Sequence, residues 1–173
     1  DQNSFKLDDI DFFTVNKSIN YNILKKFLFY IKRPSKYLTH IKLLNNMLLN
    51  NNLKDELEKI NFDIDSNKVI QVPHHISHIS SSYFLSGFED SFGLTVDGSG
   101  DFSTSESYLI NKGKIQTIEK NYFPHSLGIF YQTFTQFLGF RKYGDEYKVM
   151  ALSSFGNPTY ENKIKEIVFL NNN

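Results

Sequence analysis

The sequence predicts a mixed α/β domain, and three observations support that prediction. Apolar residues recur at helical spacing between residues 21 and 62. Short apolar runs separated by glycine-containing turns follow between residues 92 and 120, which is typical of an antiparallel meander. Helical spacing returns after residue 126. With 173 residues, 40% of them hydrophobic and 16% aromatic, the chain is long enough to enclose one core.

The composition limits the class of function. The 19 basic and 19 acidic residues cancel, so the charge favours neither a nucleic acid nor an anionic membrane, and we expect no such partner. Without cysteine the chain cannot use thiolates, so a bound metal would need His, Asp, Glu or water. We see no membrane helix or signal peptide and expect a cytoplasmic protein. Because the first residue is Asp rather than Met, we expect a piece of a longer protein.

The apolar spacing in the N-terminal part of the sequence predicts helices. The first covers Tyr21–Arg33 and ends before Pro34, and we expect its apolar stripe to pack on the core. Two more are predicted at residues 36–50 and 51–62. We expect a helical segment, residues 1–65, packed on an α/β core formed by residues 66–173.

A histidine pair follows in the core. Ser66–Val72 predicts a strand that leads to Pro73, which can open a helix. His74 and His78 are four residues apart, so on a helix both imidazoles lie on one face and can reach a single metal ion. A zinc-protease pattern would need Glu after the first His, and His75 stands there. The alternative is a surface or core histidine pair that binds no metal.

A carboxylate and two glycines come next. The apolar run Phe92–Asp97 predicts a buried strand, and Asp97 at its end offers a third ligand. Gly98, Ser99 and Gly100 predict a turn whose backbone could approach a phosphate, with an ordinary hairpin turn as the alternative. Two histidines and one carboxylate suit iron(II), zinc or manganese, so we expect a divalent metal here.

The remaining segments complete the predicted domain. Asp101–Ile110 and Lys114–Lys120 are predicted strands joined by a hairpin turn. We expect Ser126 to cap the next helix and Gly128 to permit a close contact. Two last helices are predicted at residues 144–152 and at Tyr160–Leu170.

Several short motifs occur in order along the second half of the chain. They are His74–His78, Val96–Asp101, Phe123–Gly128, Gly139–Phe140 and Glu146–Met150. Over residues 69–156 the chain therefore resembles the carbamoyltransferase family, which includes nodulation and antibiotic O-carbamoyltransferases. The resemblance implies a large-domain fragment similar to the tRNA threonylcarbamoyl-transfer proteins, with the actin/hexokinase-like ATPase (ribonuclease H-like) fold.

The resemblance also implies an activity and a site. Such enzymes make carbamoyl-adenylate from carbamoyl phosphate and ATP and transfer the carbamoyl group to a hydroxyl or amine of a small-molecule acceptor. The implied metal ligands are His74, His78 and Asp97, and the implied nucleotide- or phosphate-binding residues are Gly98, Ser99, Gly100, Glu146 and Lys148. An exposed ion pair is the alternative for Glu146 and Lys148.

Parts of the family pattern are missing. The Gly-x-His-Asp turn that carries the family's acid/base histidine has no counterpart before Tyr21, so we assign no catalytic residue. A further aspartate ligand and a carbamoyl-phosphate domain also lie outside these 173 residues. We therefore expect the isolated chain to be inactive and prone to self-association. The alternatives are a non-catalytic metal- or nucleotide-binding module, a subunit that completes its site with another chain, or a relative that modifies tRNA.

Overall fold

The computed structural model describes residues 9–18, 20–32 and 65–169. Its elements are β1 (Phe13–Val15), α1 (Ile23–Ile31), β2 (Val69–Gln71), α2 (His74–Ser86), β3 (Asp90–Gly100), β4 (Ser103–Asn111), β5 (Lys114–Tyr122), α3 (Leu127–Phe137), α4 (Glu146–Ser153) and α5 (Glu161–Lys165). The mixed α/β class is confirmed. The helices predicted at residues 36–50 and 51–62 lie outside the described residues.

The chain divides into two compact units, residues 1–129 and residues 130–173. The first unit carries the strands, α1 and α2. The second carries α4, α5 and most of α3. The predicted division into residues 1–65 and 66–173 has its boundary beside residues that the structure does not describe, and it stays a prediction.

The described strands form a parallel pair and an antiparallel sheet. β1 pairs in parallel with β2, with Phe13 opposite Val69. β3, β4 and β5 form an antiparallel meander, which confirms that part of the prediction. The β4–β5 hairpin turns at Lys112 and Gly113, which both have positive φ. β1 was not predicted because three residues are too short to display a period.

The predicted buried strand is covered on one face only. Side chains alternate across a strand, and in β3 the inward positions belong to Gly93 and Thr95. Phe92, Leu94 and Val96 point the other way and are exposed, so the prediction was wrong for the apolar side chains. A Cβ at Gly93 would stand 2.5 Å from a side-chain carbon of α2, so this glycine lets the helix lie close to the sheet.

The core of the first unit is small and lies between α2 and the sheet. Its buried apolar members are Ile79, Tyr83, Tyr108 and Ile110. The prediction that the apolar stripe of α1 faces inward was wrong, because that helix exposes the stripe and buries Lys26 instead. Burial lowers the pKa of Lys26, although the nearby carboxylate of Asp101 opposes this shift.

The predicted turn at Gly98–Gly100 was wrong, because β3 continues through Gly100. Asp101 and Phe102 make the turn, with φ of 50° and 76°. Two-residue hairpins with positive φ usually contain glycine or asparagine. Here the Phe102 ring packs edge-on against Phe29 at 5.3 Å, and that contact helps to hold a conformation that Phe rarely adopts.

In the second unit the last helix is shorter than predicted. α5 spans Glu161–Lys165 rather than Tyr160–Leu170. Across the described parts of the chain, we find no helix with the length and apolar character needed to cross a membrane.

Candidate metal centre

α2 and β3 bring three of the predicted site residues together. His74 opens α2, His78 lies one turn later on the same face, and Asp97 projects from β3. One ligand atom from each of these side chains lies within 4.8 Å of the other two. The cluster is partly open to solvent, since the side chains of His74, Asp97 and His78 are 23%, 36% and 52% exposed.

The spacing of the three atoms suits a single ion. His74 Nε2 lies 2.7 Å from Asp97 Oδ2 and 3.0 Å from His78 Nε2. His78 Nε2 lies 3.6 Å from the same carboxylate oxygen. Ligand atoms held about 2.0 to 2.1 Å from one ion at the tetrahedral angle are about 3.3 Å apart. The observed separations bracket that value.

The tautomer of His74 gives a second indication. Its Nδ1 lies 3.3 Å from the carbonyl oxygen of Asn16, in the loop after β1. A carbonyl only accepts, so Nδ1 must carry the hydrogen, and Nε2 of the neutral ring then carries a lone pair. That lone pair faces Asp97 Oδ2 at 2.7 Å. Two acceptors this close need a proton or a metal ion between them, so the arrangement suits a cation.

Asp97 is held in its charged form. Partial burial opposes the charge, but the Gly98 N–H donates to Oδ1 at 2.6 Å, and a hydrogen between His74 Nε2 and Oδ2 or positive charge on the two imidazoles also favours the anion. The pKa of Asp97 therefore lies below its ordinary value. Because Oδ1 is engaged by the backbone, Oδ2 is the oxygen that faces the histidines.

The start of α3 supports the backbone beside Asp97. The Ile129 N–H donates to Ser126 Oγ at 3.0 Å, which confirms Ser126 as the helix cap. The same hydroxyl donates to the Gly98 carbonyl at 2.7 Å. A Cβ at Gly128 would stand 2.6 Å from Gly98 N and 2.7 Å from Asp97 O. This glycine therefore allows the close contact that the sequence predicted.

The glycines at the end of β3 serve different purposes. A Cβ at Gly100 would stand 2.0 Å from the His74 ring, so Gly100 makes room for a candidate ligand. A Cβ at Gly98 would meet only Ile129, at 4.0 Å. The pairing of β3 with β4 is irregular between Val96 and Gly100. A phosphate contact at Gly98–Gly100 stays a prediction.

Comparison with known proteins identifies the family. The family model described as Carbamoyltransferase N-terminus matches residues 1–173. The chain belongs to the carbamoyltransferase family. The resemblance drawn from the motifs is thereby confirmed.

The curated relatives of this chain are much longer than it is. The chain is 33% identical over 114 residues to an uncharacterized protein of Synechocystis, a match that covers 62% of the chain and 18% of that protein. It is 35% identical over 96 residues to the nodulation protein NolNO of Sinorhizobium fredii, a match that covers 56% of the chain and 14% of that protein. It is 38% identical over 86 residues to the nodulation protein NolO of Bradyrhizobium diazoefficiens, a match that covers 49% of the chain and 15% of that protein. The chain thus spans less than a fifth of each of these proteins.

Glu146 and Lys148 lie in the second unit, at the start of α4. Lys148 Nζ forms an ion pair with Asp145 Oδ1 at 2.6 Å. Their hydrogen bond lowers the pKa of Asp145 and raises the pKa of Lys148. The expected contact of Glu146 and Lys148 with a nucleotide stays a prediction.

Sequence reasoning missed two residues that support the candidate metal centre, Asn16 and Asp101. Asn16 supplies the carbonyl that orients the His74 ring, and Asp101 Oδ2 accepts the His74 N–H at 2.8 Å. One signal pointed to the second contact. Pro73 precedes the helix and has no side-chain acceptor, so the first helical N–H groups need an acceptor from elsewhere.

His75 does not join the centre. Its ring is buried, and Nδ1 lies 2.8 Å from Thr95 Oγ1 on β3. The hydroxyl of Thr95 donates to the carbonyl of Glu106 at 3.2 Å. Since its hydrogen is used there, Thr95 accepts the hydrogen of His75 Nδ1. The middle histidine therefore anchors α2 to the sheet.

Proposed function

We propose that this chain is the metal- and nucleotide-binding part of a carbamoyltransferase that uses carbamoyl phosphate and ATP, through carbamoyl-adenylate, to carbamoylate a hydroxyl or amine of a small-molecule acceptor. Family membership supports the transfer of a carbamoyl group. The observation that carries the metal site is the convergence of His74, His78 and Asp97 on one point. The parallel strand pair and the antiparallel meander are compatible with the actin-like ATPase fold, which is part of the proposal.

Each ligand has a defined atom in this proposal. His74 and His78 would hold iron, zinc or manganese through Nε2, and Asp97 through Oδ2. A bound divalent ion would supply positive charge that polarises a phosphoryl oxygen and orients the nucleotide. The chain's own task is to present neutral imidazoles and a charged carboxylate, which the Asn16 carbonyl and the Gly98 N–H help to do.

The end of β3 is the proposed contact for the nucleotide phosphates. The Gly98 N–H is already engaged by Asp97, and the His74 ring covers Gly100. The polar contact therefore falls mainly on Ser99, with the two glycines keeping the backbone beside it uncrowded. Glu146 and Lys148 are the proposed contacts to ribose and base.

Metal content and ATP binding test this proposal. We expect the purified chain to bind one equivalent of Zn²⁺, Mn²⁺ or Fe²⁺, and the His74→Ala and Asp97→Ala variants to lose it. His125→Ala is the matched control because that side chain is exposed and outside the cluster. ATP should bind more tightly with the metal than without it. Unchanged metal content in both ligand variants would refute the site.

The same samples separate the alternatives. A chain that binds metal but shows no metal-dependent affinity for ATP would favour a non-catalytic metal-binding module. A carbamoylation assay with carbamoyl phosphate, ATP and a hydroxyl acceptor should show no turnover by these 173 residues alone. Robust turnover would contradict that expectation.

A further inference from the structure

Asp101 joins segments that are distant along the chain. Its Oδ1 and Oδ2 accept the Ser18 N–H at 3.1 and 3.0 Å. Oδ2 also accepts the His74 N–H at 2.8 Å. Because Pro73 provides no side-chain cap, Asp101 takes the place of a local helix cap. One carboxylate thus holds both the start of α2 and the loop that follows β1.

Both of these segments set the orientation of His74. The start of α2 carries its backbone, and the loop carries Asn16, whose carbonyl lies 3.3 Å from His74 Nδ1. Ser18 is only two residues beyond Asn16, so the hydrogen bonds to Asp101 control how far that carbonyl lies from the ring. We propose that Asp101 is a positioning residue of the metal centre. It keeps His74 in the tautomer whose Nε2 lone pair faces the other two ligands, an inference that rests on the metal site proposed above.

The turn that carries Asp101 is held independently of its carboxylate. Asn22 Nδ2 donates to the Asp101 carbonyl at 3.1 Å and lies 2.9 Å from Ser103 Oγ. On the other side, the Phe102 ring packs on Phe29. A change confined to the carboxylate should therefore leave the turn in place and release only α2 and the loop.

A charged acceptor suits this position better than a neutral one. The N-terminus of a helix carries partial positive charge, and the buried Lys26 is close enough for Asp101 to oppose the lowering of the Lys26 pKa by burial. Asparagine would keep one acceptor oxygen and replace the other with an NH₂ donor, which would face an N–H group. Asp101→Asn therefore removes the negative charge and sets an NH₂ group against the Ser18 N–H, which weakens the clamp with almost no change in volume.

The experiment measures metal binding by the 173-residue chain. Co²⁺ is titrated alone and followed by its visible absorption, and Zn²⁺ affinity is measured by competition with a chromophoric chelator. We expect Asp101→Asn to weaken Zn²⁺ binding about 10- to 100-fold, the usual cost of disturbing the groups that orient a ligating histidine, and to alter the Co²⁺ spectrum.

Two controls separate positioning from general support. Asp90→Asn removes a carboxylate from the other end of β3, where Asp90 Oδ1 accepts a hydrogen from the exposed side-chain amide of Asn111. Asn22→Ala weakens the same turn but leaves the carboxylate in place. Asp90→Asn should keep wild-type affinity, and Asn22→Ala should lose less affinity than Asp101→Asn. Wild-type affinity in Asp101→Asn, or an equal loss in Asn22→Ala, would overturn the inference.

A second measurement keeps the inference testable if Asp101→Asn does not fold. Nitrogen NMR of the metal-free wild-type chain at about pH 8, where free imidazole is neutral, reports which ring nitrogen of His74 carries the hydrogen. Hydrogen on Nδ1, with or without a second hydrogen on Nε2, supports the inference, and hydrogen on Nε2 alone refutes it. A wild-type chain that binds neither Co²⁺ nor Zn²⁺ would refute the proposed function instead, and the NMR result would still decide the tautomer.

Discussion

Two polar clusters are built on the same three-stranded sheet, and they differ in the source of their positive charge. Around the fully buried Glu106, the chain supplies its own cation, because Lys120 Nζ lies 3.3 Å from Oε2. Tyr108 donates to the same oxygen at 2.8 Å. Around Asp97, the basic partners among the described residues are His74 and His78, whose rings can be neutral.

This difference separates a structural cluster from a binding site. A buried carboxylate is tolerated only when a charge partner and hydrogen bonds compensate its desolvation, and Glu106 has both within the chain. The cluster at Asp97 is partly open to solvent, and its ligand atoms face one another with their lone pairs. The repulsion between these atoms therefore has to be offset by a proton or an added ion. Substitutions in the cluster around Glu106 should therefore lower the stability of the fold, whereas substitutions in the cluster around Asp97 should lower the affinity for a metal ion.

The largest effect on stability is expected when the Glu106 cluster loses the cation that the chain itself supplies. Lys120→Met leaves the buried Glu106 carboxylate without its charge partner, so we expect the free energy of unfolding to fall by about 3 to 5 kcal/mol. Urea denaturation measures this change in the free energy of unfolding. Lys114→Met, on the same strand but exposed, is the control and should change little. A loss below about 1 kcal/mol, the range of surface pairs, would mean that the cluster is not structural.

The second effect concerns the added ion. His78→Ala removes one ligand, so we expect Zn²⁺ affinity to fall by more than about 100-fold, beyond the usual cost of changing a supporting residue. The free energy of unfolding without metal should hardly change, because the His78 side chain is 52% exposed. Chelator competition and urea denaturation measure the two quantities. A variant that lost stability but kept its affinity would reverse the comparison.

A smaller effect is expected from the glycines beside the metal centre. Gly100→Ala would push a Cβ into the His74 ring, so Zn²⁺ affinity should fall at least about 10-fold. Gly98→Ala is the matched control, since its Cβ would make only an ordinary contact at 4.0 Å with Ile129. Equal affinities in the two variants would show that the ring does not depend on the space at Gly100.

The smallest effect is a pH dependence of the structural cluster. Burial, followed by the hydrogen bond to Glu106, raises the pKa of Tyr108 well above its ordinary value of 10.0. The folded chain keeps this proton after the unfolded chain has lost it, so its stabilising contribution is complete below about pH 10 and declines above it. The decline is at most about 1.4 kcal/mol per pH unit for one group.

The variant Tyr108→Phe should therefore lose stability less steeply than wild type between about pH 9 and 11. Urea midpoints across that range measure the slope. Tyr143→Phe is the control because Tyr143 is 97% exposed, and its slope should match wild type. A wild-type slope in Tyr108→Phe would mean that the buried hydroxyl is not coupled to folding.

Prediction from the sequence succeeded where one element decides the geometry. His74 and His78 lie on one helical face because their spacing matches one turn, and Ser126 caps α3 because its hydroxyl reaches a nearby N–H. Prediction was wrong at the β3–β4 turn, which was expected at Gly98–Gly100. Asp101 and Phe102 make the turn instead, with positive φ, since contacts from other segments offset the strain.

The sequence by itself determined the mixed α/β class, the family motifs and the helical spacing of the histidine pair, because each depends on neighbouring residues. Only the tertiary structure decided which atoms complete the centre. Asn16 lies 58 residues from His74, and Ser18 lies 83 residues from Asp101. Any carbonyl or carboxylate could fill these roles, so no local pattern marks the ones that do. They become identifiable only when packing brings α2, the loop after β1 and the β3–β4 turn to one place.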